Sequence, residues 1–193
     1  MRKMTSPCAL LLVLLATHPA KTETIYVSNE QDNTVTVIDG ASLTVQATMA
    51  TGRRPRGIAL TADNKTLYVA IGEDNRIDVI DTATRKVTGS LPSGDDPEMF
   101  VLHPDGKRMF VANEEDSLVS VINLADRKVI KEIPVGVEPE GMAVSPDGRL
   151  VVNTSETTSM AHFIDAATLE VVDNVLVDTR PRAAQFTHDS KRV

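Results

Sequence analysis

Four charged residues stand at one recurring position of the sequence, each directly after a proline. These residues are Arg56, Glu98, Glu140 and Arg182. Guanidinium and carboxylate groups form charge-assisted hydrogen bonds, so a surface that gathers all four would bind a polar ligand or a charged partner. The alternative interpretation is that they are solvated loop charges whose signs partly cancel. We take these four residues as the candidate binding residues.

Other residue types that bind metals or act in catalysis are present but poorly arranged. Acidic residues that a hard cation such as Ca²⁺ would prefer are Asp32, Asp74, Glu114, Glu115 and Asp116, yet their spacing matches no defined calcium loop. His103, His162 and His188 fall at unrelated positions, and no pair has the spacing of metal ligands. Ser155 and Ser159 lie near His162 without a nucleophile motif. The sequence therefore predicts no catalytic residue, no metal and no cofactor, and an enzyme is not favoured.

The candidate residues belong to a repeat with a period of 42 residues. The prolines that precede them are Pro55, Pro97, Pro139 and Pro181, and turn aspartates recur at Asp63, Asp105, Asp147 and Asp189. Four copies keep this spacing without an insertion. A period near 40 to 45 residues is typical of propeller blades.

Each copy contains four short strand patterns. In the first copy they include Ile25–Asn29, Thr34–Asp39 and Gly57–Leu60, and the alternating outer strand is clearest at Lys128–Ile133 of the third copy. The strand that follows the proline carries small residues and suits the position nearest a central axis; in the last copy it is Ala183–Phe186. The prediction is an all-β fold, a β-propeller of 42-residue four-stranded blades. A β-solenoid is the alternative, although its coils are usually shorter.

This fold places the candidate residues on one face. In a propeller, the loop before the innermost strand and the loop between the second and third strands lie around the mouth of the channel. We therefore expect Arg56, Glu98, Glu140 and Arg182 to lie at that mouth. Turns with Pro-Asp-Gly, such as Pro146–Gly148, require a positive φ at the glycine. Asn64 replaces it in the first copy and Ser190 in the last.

The N-terminal residues have the pattern of a secretory signal peptide. A basic start at Arg2 and Lys3 precedes an apolar run, residues 9–16, that is too short to span a bilayer. We expect residues 1–20 to be a leader, residues 25–193 to be the blades, and the mature protein to be periplasmic or secreted. Loss of the leader removes Cys8, the single cysteine, and changes the formal net charge from −7 to −9. Such an acidic protein is expected to bind neither nucleic acid nor a membrane, and favours a basic protein partner.

The strand motifs resemble a known repeat family. They read Tyr-Val-Ser-Asn at 26–29, Tyr-Val-Ala at 68–70 and Phe-Val-Ala-Asn at 110–113, together with Val-Ile-Asp and Ser-Pro-Asp-Gly-Arg. These motifs are similar to those of the YVTN β-propeller repeats, over the whole of residues 25–193. With the leader, the chain most resembles the periplasmic propellers associated with PQQ-dependent alcohol catabolism. Tryptophan is absent, so the Trp-Asp signature of WD40 blades is missing.

The resemblance implies a seven-bladed ring, whereas the chain holds about four copies. Val193 stands in the column of Ile25, Leu67, Met109 and Val151, and would open a fifth copy. We expect a truncated propeller, an open arc whose end blades expose apolar faces. A closed four-bladed ring is the alternative, but it demands a sharp turn between blades and a tightly tapered core.

Three functions remain open from the sequence. The first is an exported, non-catalytic binding or scaffold module, which by resemblance would partner a PQQ-dependent dehydrogenase or its cytochrome. The second is a propeller enzyme, either a lactonase-like hydrolase or a relative of the haem d1 reductases. The third is a surface antigen or adhesion protein. Convergent titratable groups with strongly shifted pKa values at one mouth would favour the enzyme.

Overall fold

The computed structural model describes residues 23–193, which form short β-strands and one 3₁₀ turn, Gly72–Asp74. The predicted leader, residues 1–20, and Cys8 lie outside the described residues. The strands are β1 (Thr24–Asn29), β2 (Thr34–Asp39), β3 (Val45–Ala50), β4 (Pro55–Leu60), β5 (Thr66–Ile71), β6 (Arg76–Asp81), β7 (Lys86–Pro92), β8 (Pro97–Leu102), β9 (Arg108–Asn113), β10 (Leu118–Asn123), β11 (Lys128–Pro134), β12 (Pro139–Val144), β13 (Leu150–Ser155), β14 (Met160–Asp165) and β15 (Glu170–Leu176). Within this part of the chain, no helix has the length and apolar character needed to cross a membrane.

The strands form four antiparallel sheets, and each sheet is a simple meander. The first sheet has three strands, β1 to β3, and the other three have four strands each: β4 to β7, β8 to β11 and β12 to β15. Within each sheet, every strand pairs with the next strand in the chain, as short turns between antiparallel neighbours allow. The predicted all-β propeller of 42-residue four-stranded blades is confirmed.

Each of the three four-stranded sheets begins with its inner strand. Strand β8 contacts both β4 and β12, so the strands that follow the prolines converge on the axis of the arc. The fourth strand of each sequence copy is therefore the first strand of the next sheet. The Pro-Asp-Gly turns connect the inner strand to the next strand of the same sheet. Across one of these turns, the Ser145 amide donates a hydrogen bond of 2.8 Å to the Leu150 carbonyl.

One predicted strand does not form. Residues Ala183–Phe186, predicted as the inner strand of the last copy, have no strand assignment. In the other copies the inner strand is defined by its pairing with the strand after the following turn, as Pro55–Leu60 pairs with Thr66–Ile71. Among residues 23–193 no strand follows the turn at 187–192, so the ladder bonds have no partner.

The core lies between adjacent sheets. Val35, Val37 and Met49 of the first sheet pack against Leu67 and Val69 of the second, and two further clusters fill the next two interfaces. Strands of the two inner sheets are apolar on both faces because these sheets are covered on both sides.

The arc is open, because both end sheets expose a face that is buried in the inner sheets. Ile25 is 42% exposed, whereas Leu67, at the same place in the next copy, is 1% exposed. At the other end Val175 is 41% exposed, whereas its equivalent Leu91 is 2% exposed. The predicted open arc with apolar end faces is confirmed, and the closed four-bladed ring is not formed.

The turns have the expected backbone geometry in all four copies. Gly106 and Gly148 have φ of 67° and 72°, and Asn64 and Ser190 replace glycine at 58° and 59°.

The aspartate that ends strands such as β6 stabilises the turn that follows the strand. The Asp81 carboxylate accepts a hydrogen bond from the Thr84 amide at 2.7 Å, which closes the following turn.

Candidate functional site

The charged residues after the prolines are brought together by the inner strands. Arg54, Asp96, Glu138 and Arg180, two positions before the candidate residues, all have a positive φ between 51° and 60°. This left-handed turn precedes each proline, and the inner strand starts directly after it. Side chains of neighbouring copies therefore meet at the N-terminal ends of β4, β8 and β12, which we call the mouth.

Glu98, the second residue of β8, lies at the mouth among arginines of the preceding copy. Its side chain is buried, and both carboxylate oxygens accept hydrogen bonds from arginines of the preceding copy. Arg54 Nη2 donates to Glu98 Oε1 at 2.9 Å, and Arg56 Nε donates to Glu98 Oε2. The two arginines also bond Glu30, with Arg56 Nη1 2.7 Å from Glu30 Oε2. Glu98 is thus a fully paired buried carboxylate.

Glu140, the second residue of β12, also lies at the mouth, but its carboxylate is paired differently from that of Glu98. Its side chain is 9% exposed, and guanidinium nitrogens of Arg56 and Arg182 stand 3.8 Å from its two oxygens. That separation is too long for a hydrogen bond. Among residues 23–193, no N–H or hydroxyl group donates a hydrogen bond to Glu140. The Glu140 carboxylate therefore has acceptor positions that no described residue fills, and they face the cavity of the mouth.

The last copy adds a further ion pair at the rim. Arg182 Nε donates to Glu156 Oε2 at 2.5 Å, and Arg180 Nη2 bonds the other oxygen of Glu156. Arg180 and Arg182 are exposed, whereas Glu156 is buried. Salt bridges connect all these groups into one network, which we call the mouth cluster: Glu30, Arg54, Arg56, Asp96, Glu98, Glu114, Glu140, Glu156, Arg180 and Arg182.

The four candidate residues line one cavity within this cluster. The cavity has a volume of about 270 Å³ and is lined by Ser28, Glu30, Pro55, Arg56, Glu98, Met99, Glu140 and Arg182. Arg56, Glu98, Glu140 and Arg182 therefore lie together, as the period of the repeat predicts. Their role in binding stays a prediction.

The pKa values at the mouth follow from burial and from the surrounding charges. Burial raises the pKa of Glu98 to about 8; the charge of Arg56 opposes this rise, and Glu114 and Glu140 reinforce it. Burial also raises the pKa of Glu140, against the charges of Arg182 and Arg56. The mouth cluster holds six carboxyl groups and four guanidinium groups, so an excess of negative charge accompanies the burial. Protonation of a carboxyl group relieves that excess.

The acidic loops do not form a cation site. Asp74 accepts hydrogen bonds from the backbone and side chain of Arg53, and Asp116 accepts one from the Asp95 amide at 2.6 Å. These aspartates tie one blade to the next. Asp96, Glu98 and Glu114 lie close enough to share an ion, but the guanidinium of Arg54 contacts all three. Arg54 thus occupies the place where a cation would sit.

The two buried histidines are structural. His162 Nε2 accepts a hydrogen bond from the Gly136 amide at 2.9 Å, and Nδ1 donates to Asn174 Oδ1 at 2.5 Å. His103 Nε2 donates to the Gly148 carbonyl at 2.8 Å. Nδ1 of His103 lies 2.9 Å from Asp105 Oδ2 and 3.2 Å from the Asp105 amide nitrogen. Both rings have their nitrogens in use, and neither lines the mouth cavity.

Three members of the mouth cluster were not predicted from the sequence as part of this face. Glu30, Glu114 and Glu156 directly follow the equivalent strands β1, β9 and β13 and share one column of the repeat. Their common spacing is a signal, since the loop that carries them lies on the same face as the loop before the inner strand. What the sequence does not show is that their carboxylates pair with the arginines that flank the prolines, at least 24 residues away along the chain.

Two family models match the chain. A model described as cytochrome D1 heme domain matches residues 63–193, and one described as YNCE-like beta-propeller matches residues 4–113. Each covers more than half of the sequence, and they overlap in the middle copies. No curated protein matches the chain.

Solved structures share the fold. A chain of Kuenenia stuttgartiensis hydrazine synthase superposes with a TM-score of 0.81 and 23% sequence identity, over 93% of this chain. The chain spans 57% of the length of that structure. Similarity at this level of identity shows the fold alone, and the chemistry must be argued from the mouth itself.

Proposed function

We propose a binding function for this chain, which belongs to the β-propeller families described as YNCE-like and cytochrome D1 heme domain. The chain acts as an exported, non-catalytic binding or scaffold module whose mouth cluster docks a basic partner. The observation that carries this proposal is the excess of carboxyl over guanidinium groups in the mouth cluster. The formal net charge of −7 for the whole chain supports it.

The proposed setting is the periplasm, in association with PQQ-dependent alcohol oxidation. The support is the pattern of a leader at residues 1–20 and the resemblance of the strand motifs to YVTN repeats. The partner is then a PQQ-dependent dehydrogenase or its cytochrome, and a basic surface on either would complement the mouth.

A haem group, which the name of one family suggests, does not fit the lining of the mouth cavity. Haem iron is held by His, Cys, Met or Tyr side chains. His103 and His162 use both ring nitrogens in structural hydrogen bonds away from the mouth. Met99 alone among the cavity residues carries such a ligating atom, and the rest of the lining is mostly ionic. The proposal therefore includes no haem chemistry.

One observation favours a hydrolytic enzyme as the second candidate. Glu140 is a buried carboxyl group with a raised pKa and free acceptor capacity, between the guanidiniums of Arg56 and Arg182. A carboxylate so placed is suited to activate a water molecule, and arginines stabilise negative charge that develops in a transition state. Release of acid from simple lactones and esters by the wild type, abolished in Glu140→Gln, would establish this candidate.

The binding proposal is tested with purified components. A PQQ-dependent alcohol dehydrogenase and its c-type cytochrome are each titrated with the chain by calorimetry at low and high salt. We expect saturable binding that weakens as salt rises, because exposed charges at an interface are screened.

The variant for this test neutralises the cavity: Arg56→Gln, Glu98→Gln, Glu140→Gln and Arg182→Gln. We expect it to bind weakly. Since Glu98 is bonded to two arginines, the single substitution Glu140→Gln, whose carboxylate accepts no hydrogen bond from the described residues, serves as a milder second variant. Absence of binding to both proteins, or binding that neither variant alters, would contradict the proposal.

A further inference from the structure

We infer that the mouth cavity binds a primary ammonium group, which enters between Arg56 and Arg182 and pairs with Glu140. The inference rests on the proposed binding function and names the chemistry of the ligand at the same site. Its starting point is the Glu140 carboxylate, which is 9% exposed and receives no hydrogen bond from any described residue. The acceptor positions of this carboxylate face the cavity, and a ligand with N–H groups would fill them with charge-assisted hydrogen bonds.

The geometry around Glu140 leaves room for such a group. Arg56 Nη2 and Arg182 Nη2 each stand 3.8 Å from a Glu140 oxygen, on either side of the carboxylate. Arg56 is held there by its hydrogen bonds to Glu98 and Glu30, and Arg182 by its bond to Glu156. Neither arginine therefore closes the gap. The carboxylate faces a cavity of about 270 Å³ that has space for several water molecules or one small group.

The charge of the cavity selects the sign of the ligand. Its lining holds three carboxyl groups, Glu30, Glu98 and Glu140, and two guanidinium groups, Arg56 and Arg182. One carboxylate is left in excess, and a monovalent cation with hydrogen-bond donors neutralises it. A primary ammonium has three donors and a small radius. Binding of an anion in the cavity is disfavoured, because the Glu140 carboxylate would repel it at close range.

The excess carboxyl group also couples ammonium binding to the release of protons. Burial raises the pKa values of Glu98 and Glu140 in the free protein. A bound cation favours their ionised forms and lowers these pKa values, so ammonium binding releases protons into the buffer. The coupling separates binding in the cavity from weak attraction to exposed surface carboxylates, which are already ionised.

The test uses three small probes of similar size and different charge. Ethanolamine carries an ammonium group, ethylene glycol is its neutral analogue, and glycolate is the anionic one. Each is titrated into the full chain by calorimetry and ligand-detected NMR. We expect ethanolamine to bind with a dissociation constant on the order of 1 mM, as its small size implies, and to bind at least about tenfold more tightly than the other two.

Two variants should change the affinity in opposite directions. Glu140→Gln removes the surplus carboxylate and should weaken ethanolamine binding about tenfold. Arg182→Gln removes a partly exposed guanidinium and enlarges the surplus, so it should strengthen binding. Glu132→Gln, the same chemical change on exposed strand β11, is the control and should have no effect. Circular dichroism confirms that each variant is folded.

A lysine peptide distinguishes the two sources of an ammonium group. If a lysine side chain of the partner is the natural ligand, acetyl-Gly-Lys-Gly-amide should bind at least as well as ethanolamine. If a free amine is the ligand, ethanolamine should bind and the peptide should not. Equal binding of all three small probes, preference for glycolate, or no response to Glu140→Gln and Arg182→Gln would overturn the inference. Each of these results leaves the docking of a protein partner to be decided by its own titration.

Discussion

Arg56 and Glu140 stand two repeat periods apart in the sequence, and Arg56 Nη2 lies 3.8 Å from Glu140 Oε2. The same guanidinium bonds Glu98, one period away, through its Nε atom. One arginine thus connects three blades at the mouth. Residues 42 positions apart occupy equivalent places on successive inner strands. Charged residues that recur with this period in the sequence therefore contact one another in the fold.

The first prediction concerns the stability that Arg56 contributes. Arg56→Met leaves the buried Glu98 with one guanidinium partner and should lower the free energy of unfolding by about 2 kcal/mol. That is less than for a fully buried pair because Arg56 is partly exposed. Urea denaturation at pH 9, where Glu98 is ionised, measures this loss. Arg53→Met is the matched control: Arg53 is 64% exposed in its pair with Asp74, so little change is expected. Equal effects of the two substitutions would contradict the account.

The second prediction is a fall in stability with rising pH. Glu98 has a pKa of about 8 in the folded protein against an ordinary value near 4.5. Between these two values the folded state keeps a proton that the unfolded state releases, so the free energy of unfolding decreases as pH rises. The raised pKa of Glu140 acts in the same direction.

Urea midpoints at pH 5, 6, 7 and 8 test this prediction. We expect a steady decline for the wild type and a shallower one for Glu98→Gln, which cannot release that proton. A midpoint that rises with pH over this window, or identical profiles for the two proteins, would show that the arginines keep Glu98 ionised.

The sequence predicts much of this arrangement because its repeat is regular. The period and the strand patterns predict the sheets, and the proline columns predict that Arg56, Glu98, Glu140 and Arg182 share a face. The prediction of an inner strand at Ala183–Phe186 was wrong, because a strand needs a pairing partner as well as a suitable sequence pattern.

The pairing of the charges could not be predicted from the sequence. Reach and direction of long side chains decide whether Arg54 contacts Asp96, Glu98 or Glu114, and spacing contains no such information. The acidic loops illustrate the same point. Asp74 and Asp116 suggested a cation site, yet each accepts hydrogen bonds from the adjacent blade.

The third prediction concerns the open ends of the arc. Ile25 and Val175 expose apolar faces that inner copies bury, and such surfaces promote association. The chain should therefore self-associate, and Ile25→Thr with Val175→Thr should reduce this. Sedimentation velocity over a range of concentrations measures the effect. Ile130→Thr, at an exposed site on β11, is the control. A monomer at all concentrations would contradict the prediction.

The fourth prediction is that the protein expressed in the periplasm holds no stoichiometric haem or transition metal. His103 and His162 are committed to structural hydrogen bonds, and Arg54 fills the acidic site formed by Asp96, Glu98 and Glu114. Metal analysis and a visible absorption spectrum provide the test. A stable Soret band at one equivalent of haem would refute it.

The central claim, that the partner docks at the mouth, is tested most directly by Met99, which lines the cavity beside Glu98. The chain is labelled with [methyl-¹³C]methionine, and the Met99 signal among the seven methionines is assigned with Met99→Leu. The dehydrogenase or its cytochrome, whichever binds, is then added. The account predicts a saturable shift or broadening of the Met99 methyl resonance while that of the buried Met109 stays unchanged. Saturable binding that leaves the Met99 resonance unmoved would contradict the claim.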